Sequence, residues 1–180
     1  MDKRHNLASD NEALSMPSYL PDILPIQESA IPQILNIQTD CRLAIWTEKQ
    51  YQEEIERENS FVFGAKFKNR IIGFIAARLT VIPPITSETI KSATTELDIL
   101  NFGVMKKHQK QGIGSLLLDS LLKNANPGKK VQTVWLEVRE SNIDAINFYR
   151  KRGFVKTQIR KNFYRQPTEN AVVMKLNIGN

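Results

Sequence analysis

Apolar residues recur along this chain at two spacings, and each switch between them marks an element. Val131 to Arg139 alternates, with Val134, Leu136 and Val138 on one face and Thr133, Trp135, Glu137 and Arg139 on the other, which predicts a half-buried strand. Phe61 to Lys66, Ile71 to Thr80 and Thr95 to Val104 predict three more strands, with Lys68-Asn69-Arg70 turning between the first two. Helical spacing covers Ala30 to Asp40 through Ile31, Ile34, Leu35 and Ile37, and Pro32 suits a first helical turn. Thr47 caps a second helix carrying Tyr51 and Ile55. Ile113, Leu116, Leu117, Leu121 and Leu122 predict a third helix, running to about Asn124 and stopped by Asn126-Pro127-Gly128. Ser141-Asn142-Ile143-Asp144 has the form of a capping box and opens a fourth, ended by Gly153. Asp22 to Ile26 reads as a first strand that Pro25 confines to an edge. Phe154 to Ile159 and Ala171 to Leu176 read as closing strands joined by a polar, turn-rich stretch around Pro167 and Thr168.

The order is therefore strand, two helices, three strands, helix, strand, helix, two strands. It predicts an α/β or α+β fold with a mixed sheet. Residues 1–20 are polar and without period, a flexible extension, which leaves 21–180 as a single domain. From Ile82-Pro83-Pro84 to Ser92 the chemistry is that of a loop, long enough to be a mobile flap or an insert. Trp46, just before the second helix, fits a hydrophobic staple or the border of a substrate groove.

Composition narrows the picture in three places. The net charge of +6 permits acidic partners. The basic residues, Arg150-Lys151-Arg152 among them, are interrupted by acids and read mostly as solvated faces, and no nucleic-acid motif is present, so direct nucleic-acid binding is not expected. No apolar run approaches the roughly 18 residues of a membrane span and the N-terminus lacks an apolar signal core, so neither a membrane nor export is expected and the expected location is the cytoplasm. Cys41 is the one cysteine, which excludes an internal disulfide and a thiol zinc cluster; no metal is expected.

The stretch with chemistry of its own is Gln109-Lys110-Gln111-Gly112-Ile113-Gly114, two glycines at a strand-to-helix turn. Glycine admits a ligand close to the backbone, and a first helical turn offers unpaired N–H groups and a positive dipole end. On these residues alone, anion binding and a purely structural turn are equally good readings. Other residues also carry two readings, and for Glu137 and Tyr149 spacing alone favours the first. Asn142 is a helix cap or a ligand contact, Glu137 an exposed strand charge or an acid–base group, and Tyr149 a core aromatic or a proton donor. His108 reads as loop surface.

The six-residue stretch matches the [RQ]-x-x-G-x-[GA] loop and resembles the GNAT superfamily of N-acetyltransferases, whose element order is also this one. Trp135-Leu136-Glu137-Val138-Arg139, Ser141-Asn142, Ala145-Ile146, Phe148-Tyr149 and Gly153-Phe154 are similar to the bacterial RimI-type members, which acetylate the N-terminal alanine of a small-subunit ribosomal protein. Arg160-Lys161-Asn162-Phe163-Tyr164 and Ala171-Val172-Val173-Met174 resemble that group's C-terminal region. The resemblance covers about 20–178 and implies a mixed, mostly antiparallel sheet of about seven strands flanked by about four helices. It implies acetyl-CoA as cosubstrate and a protein N-terminus, a ribosomal protein's, as acceptor; a lysine side chain, a small amine or mere acetyl-CoA binding are the alternatives. It further implies that the backbone of Phe102, Gly103 and Val104 pairs with pantetheine. The loop Gln109, Lys110, Gln111, Gly112, Ile113, Gly114 and Ser115 would grip the pyrophosphate, with Asn142 contacting the cofactor. Glu137 is then the general base, with Trp135 as an apolar neighbour, and Tyr149 the general acid. Met105-Lys106 stands where the family has Asp-Pro or similar, and His108 where an aromatic often precedes the loop.

Overall fold

The computed structural model describes residues 20–83, 94–126 and 131–178. The expected extension apart from Leu20, the insert between Pro83 and Thr94, and Pro127-Gly128 of the expected helix stop lie outside the described residues.

The most buried strand shows how the layers arise. β3 (Arg70–Ile82) is buried almost without a break from Ile71 to Leu79, because its two faces serve two cores. Ile71, Phe74 and Ala76 point into one, Ile72, Ile75 and Ala77 into the other. On the first face lie α1 (Ile31–Cys41) and α2 (Glu48–Glu56), contributing Ile31, Ile34, Ile37 and Tyr51. On the second lie α3 (Ile113–Ala125) and α4 (Ile143–Lys151), contributing Ile113, Leu117, Leu118, Leu121, Ile146 and Tyr149. Full burial of one such Ile or Leu side chain stabilises by about 1.5–3 kcal/mol. Helix periodicity on both sides of an alternating sheet is thus enough to specify three layers.

The remaining strands are β1 (Asp22–Pro25), β2 (Ser60–Phe67), β4 (Thr94–Val104), β5 (Val131–Arg139), β6 (Val155–Arg165) and β7 (Thr168–Asn177). They order as β1-β2-β3-β4-β5-β7-β6, seven strands among the described residues. Every neighbouring pair is antiparallel except β4 and β5, so the sheet is mixed and mostly antiparallel as expected.

Local signals held at most boundaries. Thr47 and Gln50 form a reciprocal capping box at the start of α2, and Trp46 packs on Tyr51 with ring centroids 5.1 Å apart, the staple expected there. Two expectations fail. The capping box at Ser141 and Asp144 does not form: Asn142 is the N-cap of α4 and its Oδ1 accepts from Ala145 N at 3.1 Å. The closing hairpin is longer than its sequence suggests. β6 runs to Arg165, not Ile159, and β7 begins at Thr168, not Ala171. The cause is a bulge: Arg160 lies opposite Ala171 and Tyr164 opposite Glu169, so four steps on β6 match two on β7. Asn162 takes up the excess at φ 52° and its N–H donates to Asn170 Oδ1 at 3.1 Å. An irregular, polar strand of this kind loses the period-2 pattern by which strands are read.

Gly153 follows α4 at φ 87°, and a Cβ there would lie 3.2 Å from Leu176 Cδ1. Gly153→Ala is expected to destabilise the chain by about 1–2 kcal/mol, the cost of a left-handed residue with a Cβ, and to lower the thermal midpoint by several degrees. An unchanged midpoint in a thermal melt would refute the assignment of that turn.

Candidate active site

The site begins where two parallel strands stop pairing. β4 and β5 are paired from Thr95 and Val131 to Ile99 and Leu136, with one register shift after Thr95. On its other edge β4 carries a bulge: Ala77 of β3 lies opposite Ile99 and Ala76 opposite Asn101, so Leu100 has no counterpart. A bulged strand bends and twists more strongly. β5 meanwhile stays paired with β7 as far as Arg139 and Ala171. The two strands therefore diverge, opening a cleft between 100–104 and 137–139.

Two connected cavities occupy it. The smaller, about 80 Å³, is lined by Asn101 and Phe102 of β4, Glu137 and Arg139 of β5, and Asn142 and Tyr149 of α4. The larger, about 500 Å³, is walled by Trp46, Glu96, Asp98, Trp135 and Phe163. Glu137, Leu100 and Tyr164 line both.

Glu137 projects from β5 at the junction. It lines the larger cavity together with the expected Trp135, and its carboxylate is paired with the Arg160 guanidinium. Arg160 itself lies 4.3 Å from the Phe163 ring centroid. The Tyr164 hydroxyl donates to the Glu137 carbonyl at 3.2 Å, and burial pushes the Tyr164 phenol up to about 12, partly offset by Arg139. The bulge in β6 is what brings these three residues over β5. Arg139 secures the arrangement, donating to the Gln166 and Pro167 carbonyls and to Glu169 while its guanidinium lies 4.1 Å from the Tyr164 ring centroid.

Tyr149 is buried at the inner end of the cleft against Phe102, Phe148 and Phe154, with centroids 6.3, 5.3 and 5.4 Å away. Burial raises its phenol well above the ordinary value, so the hydroxyl keeps its proton throughout the neutral range. Cys41 is a different kind of group. Its Sγ donates to the Val104 carbonyl, and burial, reinforced by Asp40, pushes the thiol up to about 11, which keeps it from being a thiolate near neutrality. His108 lies on a short turn, Lys106–His108, outside both cavities, its pKa lowered by burial and by Lys107.

The glycine loop joins β4 to α3 and lines neither cavity. Gln109 donates to the Val104 carbonyl at 2.9 Å and Gln111 to the Lys107 carbonyl at 3.3 Å, so both side chains brace the loop. Lys110 sits at φ 58° with its ammonium 3.7 Å from Asp144, an exposed pair. Gly112, at φ 80°, is the N-cap of α3 and has no side chain with which to cap it. The first-turn amides of Ile113, Gly114 and Ser115 therefore lack the usual side-chain oxygen, which leaves them suited to an anionic group. A Cβ on Gly114 would meet Phe102 and Phe148 at 3.6 Å, an ordinary contact, so protein packing alone does not demand glycine there. Gly103 differs: a Cβ would stand 2.7 Å from Leu43 Cδ1, and its smallness lets the α1–α2 loop press onto β4.

Comparison with known proteins agrees with this geometry. A profile described as the acetyltransferase (GNAT) family matches residues 31–154. The chain belongs to the GNAT acetyltransferase family. It is an N-acetyltransferase, and the family uses acetyl-CoA. A ribosomal protein bS18-alanine N-acetyltransferase of Haemophilus influenzae is 41% identical over 59% of this chain and 64% of its own length. The enzyme so named in Escherichia coli strain K12 is 29% identical over 87% of this chain and 97% of its own length. The crystal structure of the ribosomal-protein-S18-alanine N-acetyltransferase from Escherichia coli superposes with a TM-score of 0.71 at 26% identity, covering 89% of this chain and 96% of that one.

Within this GNAT chain, Phe102, Glu137, Asn142 and Tyr149, expected from sequence, converge on one cavity, whereas 109–115 form its neighbouring helix turn. Asn142 caps α4 and also lines the cavity. Sequence reasoning gives Arg160 and Tyr164 no role and does not single out Glu96 or Asp98, which line the larger cavity. The aromatic pair Phe163-Tyr164 inside a polar run was the available signal.

Three of the four tyrosines, Tyr51, Tyr149 and Tyr164, have phenols raised by burial. Each favours the neutral form more when folded than when unfolded, so their contribution is fully present below the ordinary phenol value near 10 and is lost as pH rises from there towards the folded values. Ultraviolet titration of the native chain up to about pH 11 is expected to ionise at most one tyrosine in full. Ionisation of three below that point, with the fold intact by circular dichroism, would contradict the burial described.

Proposed function

We propose that this enzyme transfers acetyl from acetyl-CoA to the N-terminal α-amine of a protein, an alanine-initiated small-subunit ribosomal protein, with Glu137 as general base and Tyr149 as general acid. The observation that carries the reading is the convergence of these two side chains on one cleft from opposite elements, β5 and α4. The names of the relatives from Haemophilus influenzae and Escherichia coli support the acceptor.

The residues suit the roles. An α-amine with a pKa near 8 attacks only in its neutral form. Glu137, half-exposed where the two cavities meet, can receive the amine's proton from the larger cavity as the carbon–nitrogen bond forms. Tyr149, protonated because it is buried, can give its proton to the departing sulfur as the carbon–sulfur bond breaks, and regain one through the cleft. Acetyl-CoA supplies the activated acetyl group. The backbone of Phe102, Gly103 and Val104 and the amides of 110–115 would hold it, with Asn142 beside them. Transfer is direct, which agrees with a cysteine that stays a thiol.

A mass-resolved assay tests the reading, using acetyl-CoA with two peptides: one initiated by alanine, the other with a blocked N-terminus and a free lysine. Transfer to the free terminus alone is the expected result; transfer to the blocked peptide's lysine would overturn the α-amine reading. In the same assay Glu137→Gln and Tyr149→Phe should each slow turnover by about 10²–10⁴-fold while leaving acetyl-CoA affinity nearly unchanged. Loss of acetyl-CoA binding in either variant would remove it from its assigned role.

A further inference from the structure

Three polar side chains are buried beneath the loop between α1 and α2, among the apolar side chains of that layer. Gln38 of α1 and Asn101 of β4 are each 5% exposed, and Tyr51 of α2 is fully buried. The Tyr51 hydroxyl joins the two amides. It accepts from Asn101 Nδ2 at 3.0 Å and donates to Gln38 Oε1 at 3.0 Å. The outer bonds of the chain all go to loop backbone. Asn101 Nδ2 donates to the Ala44 carbonyl at 3.2 Å. Gln38 takes the Trp46 N–H on Oε1 at 2.9 Å and gives Nε2 to the Trp46 carbonyl at 3.1 Å.

This loop forms one wall of the cleft. Ala44 and Trp46 both line the larger cavity together with Glu137 and Trp135, and Ala44 borders the smaller one as well. Asn101 follows Leu100, the unmatched residue at which β4 bends, so the same irregularity that opens the cleft presents the amide to the loop. Apolar residues of similar shape would fill the space under α1 and α2 without the cost of burying polar groups. What they could not do is hold a loop carbonyl and a loop peptide group at set positions.

We infer that Gln38, Tyr51 and Asn101 are positioning residues that set the acceptor wall of the cleft, with the Tyr51 hydroxyl as the joint on which both loop tethers depend. The inference rests on reading the larger cavity as the acceptor's site. Removing the hydroxyl leaves each amide short of one buried partner, a cost that the loop can relieve by moving out. The acceptor would then bind a less populated arrangement, while the glycine loop and the buried Tyr149, on the other face of the sheet, stay as they were.

The test is Tyr51→Phe in the full chain, with Gln38→Met as a second variant that cuts the Trp46 tether directly. Steady-state kinetics would vary the alanine-initiated peptide at saturating acetyl-CoA and then the reverse. Amide hydrogen exchange across 42–47 would be followed without any substrate. The expected result for both variants is a peptide KM raised by about tenfold, kcat within about twofold of the parent, acetyl-CoA KM unchanged, and faster exchange at the Trp46 amide. A lower melting temperature with an unchanged peptide KM and unchanged exchange would overturn the inference, leaving a merely structural network. So would a parallel change in both KM values. If the parent chain transfers nothing to the peptide, the proposed function falls by that result alone, and unchanged or faster Trp46 exchange in the variants still decides whether the network holds the loop.

Discussion

The arrangement depends on the place where β4 and β5 part. Parallel strands side by side in a sheet normally satisfy each other's backbone along their length. Here the ladder ends at Ile99 and Leu136 because Leu100, unmatched on the β3 side, turns β4 away. One extra residue thus converts the middle of a continuous sheet into a cleft with strand backbone along one wall and the Glu137 strand along the other. An opening of this kind in a sheet centre would be expensive if left unfilled, since backbone groups away from water require partners. A ligand able to add itself to an exposed strand edge meets that requirement, and pantetheine has amides for the purpose.

The two cores keep the opening from collapsing. α3 and α4 on one face and α1 and α2 on the other bury large side chains directly beside the divergence, with Tyr149 and Phe102 on one side and Tyr51 and Leu43 on the other. Close packing of this kind resists small rearrangements. The helices therefore do two tasks. They supply the hydrophobic free energy of the fold, and they carry into the cleft groups that β4 and β5 cannot provide: Tyr149 and the loop that holds Trp46.

Charge is used sparingly within this frame. The pair between Arg160 and Glu137 is half-exposed and contributes little to stability. Its consequence is local: it places a guanidinium on the carboxylate at the junction of the cavities. The exchange of bonds among Arg139, Glu169, Ser141 and the turn carbonyls is better sheltered. Burial would raise the Glu169 carboxyl, but hydrogen bonds from Ser141 and Arg139 outweigh it and hold the pKa below the usual value. That carboxylate ties the end of β5 and the start of α4 to the closing hairpin, and so carries Tyr164 to Glu137.

Much of this was legible from residues alone, because regular elements are local. The alternation in β5, the 3.6-residue spacing in α1 and α3, the Thr47 cap and Gly153 each act over a few positions, so their elements and most of their ends follow from the chain. The motifs that carry the family resemblance are equally local, which is why Glu137, Asn142, Tyr149 and the glycine loop could be singled out. What spacing could not provide was their meeting. Glu137 and Tyr149 are brought together by the departure of β4 from β5, which turns on a bulge at Leu100 that no period announces. The reach of Arg160 and Tyr164 turns on a second bulge, at Asn162, in the part of β6 beyond Ile159 that is too polar to read as strand. The bonds that join Gln38, Tyr51 and Asn101 link residues far apart in the chain and take shape only when two helices close on the sheet. The sequence by itself determined the elements, the faces they bury and the kinds of chemistry available. Only the tertiary structure decided where the sheet opens and which groups face one another across the opening, because register and bulges are settled by packing between distant segments.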